Sequence, residues 1–292
     1  MQPGGTMAYR YFIRLAYNGL AYGGWQIQPN ATTVQELIDK GIAAIAGVKG
    51  GVLGCGRTDA GVSASNFYAH FDFEEAFTDK ALLELTSRLN RFLPQDIVIL
   101  EIKPVLPGAH ARFSAKWREY EYLVMRQKDP FNHHKAYFLF GDMDVEKMNT
   151  CAELLLGRHD FQCFSKVNTQ VNNYFCDIQS AKWIEKDHLL KFTIRADRFL
   201  RNMVRAIVGT LLDVGKGKIT VKQFQQIVES HDRGEAGYSV PAKGLTLTGI
   251  GYPEEIFAEK PVQFSPDSSE KIISHHYTDP EFHKGYGNKT NK

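Results

Sequence analysis

The sequence lacks the features that mark membrane, secreted and zinc-binding proteins. No run approaches the roughly 20 apolar residues that a bilayer-spanning helix requires. Residues 1–7 do not resemble a signal peptide, because no apolar stretch follows a basic one. The cysteines Cys55, Cys151, Cys163 and Cys176 form no C-x-x-C pair, so a zinc site is not expected. We therefore expect a cytoplasmic protein with reduced thiols.

An excess of one charge is also absent. The 292 residues include 35 Lys plus Arg and 33 Asp plus Glu, which gives a formal net charge of +2. This balance neither identifies nor excludes a nucleic-acid-binding protein, because a local basic groove can lie on a near-neutral chain. Hydrophobic residues make up 43% of the chain, which excludes collagen-like and wholly disordered proteins. The length predicts about two domains.

The first half of the chain predicts the order β-α-β-β-α-β. Alternating apolar residues indicate strands, and apolar residues at helical spacing indicate helices. The predicted elements are strand 10–17, helix 34–46 after Thr33, strand 52–53, strand 66–73, a helix after Thr78 and strand 96–103. This order is typical of the split βαβ unit of a ferredoxin-like sheet, in which both helices cover one face.

The second half predicts a similar order. Its predicted elements are strand 118–127, a helix after Asp144, strands 174–184 and 188–197, helix 199–214, a helix after Thr220 and strand 245–252. The fold class is therefore α+β. We expect two ferredoxin-like halves that share a central, mostly antiparallel sheet, with helices on one face and a cleft on the other. The predicted divisions are an N-terminal extension at 1–8, halves at 9–107 and 108–253, and a polar tail at 254–292.

A glycine-rich loop at 54–61 concentrates reactive groups. Its glycines allow a close approach of the backbone to a ligand, and Arg57, Thr58 and Asp59 lie between them. The loop lacks the spacing of a P-loop or a dinucleotide site. A tight turn in which Asp59 accepts bonds from local amides is an equally good interpretation of the loop taken alone.

Basic and aromatic residues interleave at 110–122, which suits contact with phosphates and stacking on bases. The alternative for Tyr120 and Tyr122 is packing into the core, which we favour for at least one of them. On helix 199–214, Arg205 flanks the apolar stripe. An arginine at such a position either extends to water or reaches into a cleft to hold a carboxylate.

Several motifs follow one another between about residue 9 and residue 253. They are AYNG at 16–19, GWQ at 24–26, TVQ at 33–35, GRTDAGV at 56–62, HARFSA at 110–115, Arg118 with Tyr120 and Tyr122, HDF at 159–161, MVRAIVG at 203–209 and GL at 244–245. Together they resemble the tRNA pseudouridine synthase I family, the TruA type. No single motif is decisive, but their number and order make the resemblance specific.

The resemblance implies an isomerase that converts uridine to pseudouridine at positions 38, 39 and 40 in the anticodon stem and loop of tRNA. It also implies a homodimer that uses no metal and no organic cofactor. By the matching motifs, Asp59 corresponds to the nucleophile and Tyr120 to the aromatic residue on the target base. Arg205 corresponds to the arginine that pairs with the carboxylate, and Arg57 to the one that helps displace the base.

The same resemblance supplies further candidates for substrate binding, which are Arg112, Arg118, Gln26 and Leu245. We also expect a group of cations to contact phosphates, and its candidates are Arg10, Arg14, Arg112, Lys116, Arg118, Lys166 and Arg198. The chain departs from the family at two positions. Ser63 stands where members commonly have His, and Ala109 stands where they commonly have Phe.

The chemistry explains why such residues are needed. The target base must leave the helical stack, and Asp59 must be ionised in a poorly hydrated cleft, which a nearby arginine favours. The carboxylate then attacks C1′ or helps to expel the base as a glycal forms, and both routes stay open. A non-catalytic RNA-binding protein, such as a tRNA chaperone, is the alternative, and a nucleoside hydrolase with Asp59 as base is a third.

Overall fold

One sheet organises the part of the chain that the computed structural model describes, residues 7–166 and 173–265. Its strands are β1 Ala8–Tyr17, β2 Leu53–Gly54, β3 Ser63–Phe73, β4 Ile97–Pro104, β5 Trp117–Met125, β6 Tyr137–Phe138, β7 Gly157–Asp160, β8 Phe175–Lys186, β9 Leu189–Ala196, β10 Leu245–Gly251 and β11 Gln263–Phe264. The α-helices are α1 Val34–Ala46, α2 Asp79–Phe92, α3 Val145–Glu153, α4 Met203–Gly215 and α5 Val221–Ser230.

The sheet joins the two halves through a short parallel pairing. Ser63 and Ala64 of β3 lie opposite Thr246 and Leu247 of β10. On one side of this junction β3 pairs with β1, and on the other side β10 pairs with β5, followed by β9, β8 and β7. These pairings are antiparallel, so the predicted mostly antiparallel sheet and the α+β fold class are confirmed.

Local sequence signals explain the helix ends. The Thr33 side chain accepts a bond from the Glu36 amide, and α1 begins directly after it, as predicted. The helix predicted at 199–214 instead begins at Met203. Asn202 before it has a φ of 66°, a left-handed conformation that interrupts an α-helix, so residues 199–202 form the approach to α4 rather than its first turn.

Both sets of helices pack on the same face of the sheet. In the N-terminal half, Tyr11, Ile13 and Leu15 belong to a hydrophobic cluster with residues of α1 and α2. In the C-terminal half, Tyr122 and Phe192 belong to a cluster with residues of α3, α4 and α5. Because side chains alternate between the faces of a strand, Tyr120 faces the same side as Tyr122.

Within residues 7–166 and 173–265, the opposite face of the sheet is covered or carries ion pairs rather than the predicted cleft. In the N-terminal half, Phe12 on that face is covered by Tyr252 and Phe257. In the C-terminal half, it carries ion pairs, such as Arg195 with Glu119 at 2.8 Å. The expected position of the cleft is therefore corrected. The cavity described below lies on the helix-bearing face, where Tyr120 contacts the hydrophobic clusters of both halves.

The chain after β10 returns to the N-terminal half. Phe257 forms a bridge with Val105, and Gln263–Phe264 extends the sheet beside the start of β1. Residues 266–292 of the predicted tail and residues 1–6 of the predicted extension lie outside the described residues. The division of the chain into two halves and a tail stays a prediction.

The described residues contain neither a disulfide nor a cluster of metal ligands. All four cysteines are buried and unpaired, in agreement with the expected free thiols. Within 7–166 and 173–265, no cluster of three or more His, Cys, Asp or Glu residues is arranged to hold a metal ion. Across the same residues, no helix combines the length and the apolar character needed to cross a membrane.

Candidate active site

The loop that carries Asp59 lies between β2 and β3 and is fixed by its neighbour at 17–25. The Trp25 amide donates to the Thr58 carbonyl at 3.3 Å, and the Tyr17 and Thr58 hydroxyls lie 2.9 Å apart. Gly24 has a φ of +95°, and a Cβ there would stand 2.3 Å from the Thr58 carbonyl oxygen. Only glycine permits this approach, so the GW motif holds the carboxylate loop in place.

Two arginines from the C-terminal half face Asp59. Its Oδ2 lies 3.7 Å from Nη1 of Arg205, and its Oδ1 lies 3.8 Å from Nε of Arg201. Both separations are longer than a hydrogen bond, so the contacts are ion pairs. The side chain of Arg205 is 21% exposed, whereas that of Arg201 is 57% exposed. Arg205 is thus the better shielded of the two partners.

A cavity of about 510 Å³ opens beside the carboxylate. It is lined by Asp59, Lys166, Arg201, Asn202, Arg205 and Arg233. Four of these side chains are cationic and one is an anion. Such a cavity attracts a polyanion through its field and places a carboxylate within reach of the bound ligand.

Tyr120 lies within the electrostatic reach of this carboxylate. Its ring contacts Phe199 edge-on, with 5.3 Å between the ring centroids. Burial raises the pKa of Tyr120 well above its usual value, and the neighbouring Cys55 and Asp59 raise it further against the opposing charge of Arg118. The phenol is therefore protonated at neutral pH. Tyr122, in contrast, is fully buried and donates to the Pro241 carbonyl at 2.8 Å, so the expected core packing is confirmed for that residue.

Similar proteins identify the family to which this site belongs. A family model described as tRNA pseudouridine synthase matches residues 151–253. The chain is 51% identical over 248 residues to tRNA pseudouridine synthase A of Parabacteroides distasonis, covering 85% of this chain and 98% of the relative. The chain belongs to the tRNA pseudouridine synthase A family. The resemblance predicted from the motifs is confirmed, and with it the isomerase class.

Other members of the family show the same extent of similarity. tRNA pseudouridine synthase A of Bacteroides thetaiotaomicron is 48% identical over 254 residues, covering 86% of this chain and 93% of the relative. The Acetivibrio thermocellus protein of the same name is 38% identical over 240 residues, covering 82% and 97%. The similarity to these synthases thus extends over most of the chain and nearly all of each relative.

Arg118 has a different position from the one predicted for an RNA contact. Its guanidinium donates to four backbone carbonyls, at 3.3 Å (Ala115), 2.9 Å (Asp197), 3.4 Å (Cys55) and 2.6 Å (Arg112). The bond to Cys55 reaches the start of the loop that carries Asp59. Arg118 therefore supports the loop structurally, because both terminal nitrogens of its guanidinium already donate to carbonyls of the protein.

The other predicted substrate-binding residues differ from one another in exposure and in contacts. Arg57 is exposed at the loop surface, and Gln26 is half-buried next to Trp25. Arg112 is half-buried, with its guanidinium carbon 5.5 Å from the centre of the Phe113 ring. Leu245 is 6% exposed and lies opposite Tyr122 in the sheet. Their contact with substrate stays a prediction.

The group of predicted phosphate contacts is only partly placed for that role. Lys166 lines the cavity beside Asp59. Arg10 is 6% exposed and binds Asp72 with two bonds of 2.7 and 2.8 Å. It lies on the face of β1 that the chain after β10 covers, so it is a structural residue. Arg14 on the same face donates to Asn66 at 3.0 Å.

Three residues of the cavity were missed as site residues from the sequence, namely Arg201, Asn202 and Arg233. Arg201 precedes Arg205 by one helical turn in the sequence, so a shared approach to Asp59 was within reach of the pattern. Arg233 follows α5 in an irregular segment. Its place beside the site depends on tertiary contacts alone, and no periodicity signals it.

The two departures from the family pattern have structural explanations. Ser63 Oγ accepts a bond of 3.0 Å from the Gly19 amide, so the hydroxyl ties β3 to the neighbouring turn. Ala109 is 2% exposed, and its carbonyl accepts from Arg10 at 3.0 Å. A small side chain fits this enclosed position, and the contact made there is through the backbone.

Proposed function

We propose that this chain isomerises uridine to pseudouridine at positions 38, 39 and 40 in the anticodon stem and loop of tRNA, with Asp59 as the nucleophile. The observation that carries the proposal is the ion pair of Asp59 with Arg205 at one cationic cavity, with Tyr120 near enough for the charge of Asp59 to raise its pKa. The relatives are named for the modification of tRNA, which supports tRNA as the substrate.

The first step brings a uridine out of its stack and into the cavity. Extrusion costs a few kcal/mol, and contacts to the displaced strand offset it. Arg57 is exposed on the loop next to Asp59, where it fills the space that the base leaves. Arg112 and Gln26 contact the RNA around the loop, and Leu245 lies on the helix-bearing face as part of the floor.

The next step breaks the bond between N1 and C1′. Arg205 and Arg201 favour the ionised form of Asp59 through their charge. The carboxylate either attacks C1′, so that a C1′–O bond forms as the N1–C1′ bond breaks, or takes the proton from C2′ as uracil departs and a glycal forms. In both routes the freed uracil leaves with the electron pair of the N1–C1′ bond and stays trapped against Tyr120.

The last step joins C5 to C1′ after the uracil has turned. As this bond forms, the C1′–O bond to Asp59 breaks in the covalent route, and in the glycal route the protonated Asp59 returns its proton to C2′. The C5 hydrogen then leaves as a proton, and N1 takes one from water. Because Tyr120 is a protonated phenol, it is a poor base by itself. We assign it the role of holding the ring by stacking and of passing the C5 proton to the carboxylate of Asp59 once that group is released.

The proposal also covers the setting of the reaction. We propose a cytoplasmic homodimer in which a tRNA contacts both subunits, and a reaction that needs no metal and no organic cofactor. Sedimentation of the protein tests the dimer, and activity that is unchanged by EDTA tests the independence of metal. A monomer that is fully active would contradict the dimer without affecting the chemistry.

Mapping the product tests the proposed function. The protein is incubated with uridine-labelled tRNA transcripts, and pseudouridine is located by position. The expected result is pseudouridine at positions 38, 39 and 40 and at no other uridine. Release of free uracil would indicate a hydrolase, and tight tRNA binding without any pseudouridine would indicate a non-catalytic RNA-binding protein.

A further inference from the structure

Arg205 is held by a segment that belongs neither to its own helix nor to the Asp59 loop. Its Nε donates to the Val240 carbonyl at 2.7 Å. In return, the Val240 amide donates to the Arg205 carbonyl at 3.2 Å. The direction of the guanidinium, and with it the approach of Nη1 to Asp59, therefore depends on where Val240 lies.

The segment before Val240 lies tightly against α4. The Gly237 amide donates to the Thr210 hydroxyl at 2.9 Å. A Cβ at Gly209 would stand 1.8 Å from the Tyr238 carbonyl oxygen, and one at Gly237 would stand 2.9 Å from the Thr210 backbone. Both glycines thus permit a contact between helix and segment that no larger residue would allow. This packing fixes the position of the segment along the axis of α4.

Arg233 bonds to later residues of the same segment. Its guanidinium donates to the carbonyls of Ala236 at 3.3 Å and Gly237 at 3.1 Å. It also donates to Ser239 Oγ at 3.0 Å, and that hydroxyl accepts from Asn202 Nδ2 at 2.5 Å. The Arg233 side chain therefore bonds to three residues of the segment, one of which, Ser239, bonds to Asn202 directly before α4.

We propose that Arg233 is a positioning residue for the reaction, which acts through Val240 to aim Arg205 at Asp59. The inference rests on the proposed function, because it is expressed in the rate of isomerisation. Arg233 lines the cavity with Lys166 and Arg201, so a direct phosphate contact is the competing role. The two roles affect different quantities. Orientation of Arg205 affects the rate of the chemical step, whereas a phosphate contact affects the affinity for tRNA.

The test compares Arg233→Ala, Arg233→Lys and Ser239→Ala with the wild-type protein. We expect Arg233→Ala to lower kcat by about 10- to 100-fold, since small misplacements of a catalytic group have such effects. KM and the slope of tRNA affinity against salt concentration are expected to stay within about twofold. Arg233→Lys, whose ammonium donates to the same carbonyls, is expected to restore part of kcat, and Ser239→Ala to cause a smaller loss.

Matched controls separate this role from general destabilisation. Lys222→Ala removes an exposed cation on α5 and is expected to leave kcat, KM and the salt slope unchanged. In an Arg205→Lys background, Arg233→Ala is expected to cost less than about threefold, because residues that act as a unit are not additive. If Arg233→Ala does not fold, as judged by thermal unfolding, the Lys and Ser239 variants carry the test.

Several outcomes would overturn the inference. A several-fold rise in KM with kcat unchanged, together with a salt slope reduced by about one, would identify Arg233 as a phosphate contact instead. If Arg233→Ala lowered kcat by the same factor in the wild-type and Arg205→Lys backgrounds, Arg233 would not act through Arg205. A wild-type protein without turnover would overturn the proposed function itself, whereas an active wild type with unaffected variants would overturn this inference alone.

Discussion

Asp59 and Arg205 meet across the junction of the two halves, with 3.7 Å between Oδ2 and Nη1. Asp59 belongs to the loop that precedes β3, and Arg205 belongs to the first turn of α4. Neither half contains both groups. The short parallel pairing of β3 with β10 brings them together, so the site depends on the joining of the halves as much as on either residue.

The two arginines at Asp59 are expected to differ in importance. Arg205→Lys is predicted to lower kcat about tenfold more than Arg201→Lys. A lysine ammonium cannot both donate to the Val240 carbonyl and approach Asp59, as the guanidinium does, while Arg201 is largely exposed and its charge is screened. Single-turnover assays at saturating tRNA measure the difference, and equal losses in the two variants would contradict it.

Arg118 is predicted to contribute to stability rather than to RNA affinity. Arg118→Met leaves four backbone carbonyls without their donor and is expected to lower the free energy of unfolding by about 3 kcal/mol. Lys116→Met, at an exposed neighbouring position, is the control and is expected to change it by less than about 0.5 kcal/mol. Urea denaturation measures both. Weaker tRNA binding with unchanged stability would restore the role predicted from the sequence.

Two buried histidines in ring contact, His70 and His110, the latter the first residue of the HARFSA motif, predict that acid destabilises the protein. Nδ1 of His70 accepts from the Ala111 amide, and Nδ1 of His110 accepts from the Arg112 amide. Burial, followed by neighbouring positive charge, lowers the pKa of His110 to about 3, and burial lowers that of His70 well below its usual value. Below pH 6.5 the unfolded chain therefore binds protons that the folded protein does not.

The contribution of these two histidines to the free energy of unfolding is accordingly expected to be fully present above pH 6.5 and to be lost as the pH drops below it. Each histidine contributes at most about 1.4 kcal/mol per pH unit. Urea denaturation between pH 7.5 and pH 5.0 measures the slope. His110→Gln is expected to reduce it, and His133→Gln, at an exposed position, is expected to leave it unchanged. A slope that is the same in all three proteins would contradict the prediction.

Much of the fold was predictable because it is recorded in local patterns. The capping residue Thr33 and the apolar spacing after it place α1 correctly. The start of α4 was not predictable in the same way. The apolar stripe of that helix continues back to Leu200, but the left-handed conformation of Asn202 delays the start of the helix to Met203. Its hydrogen bond to Ser239 is a tertiary contact that no local pattern records.

The site was predictable in its residue types and less so in its surroundings. The motifs predicted Asp59, Tyr120 and Arg205, of which Asp59 and Arg205 form an ion pair and Tyr120 feels the charge of Asp59. The side of the cleft was misjudged because the sequence does not show that Tyr252 and Phe257 return to cover Phe12. Arg118 was assigned to RNA because an arginine beside aromatic residues suits a phosphate, whereas its partners are carbonyls distant along the chain.

The most direct test of the account replaces Asp59 and measures turnover and binding separately. Asp59→Asn keeps the shape of the side chain and removes its charge, and Asp59→Ala removes both. We predict that each variant loses at least about 10³-fold in pseudouridine formation, while its affinity for tRNA stays within about threefold of the wild type. Turnover near the wild-type rate in Asp59→Asn would contradict the assignment of this carboxylate as the nucleophile.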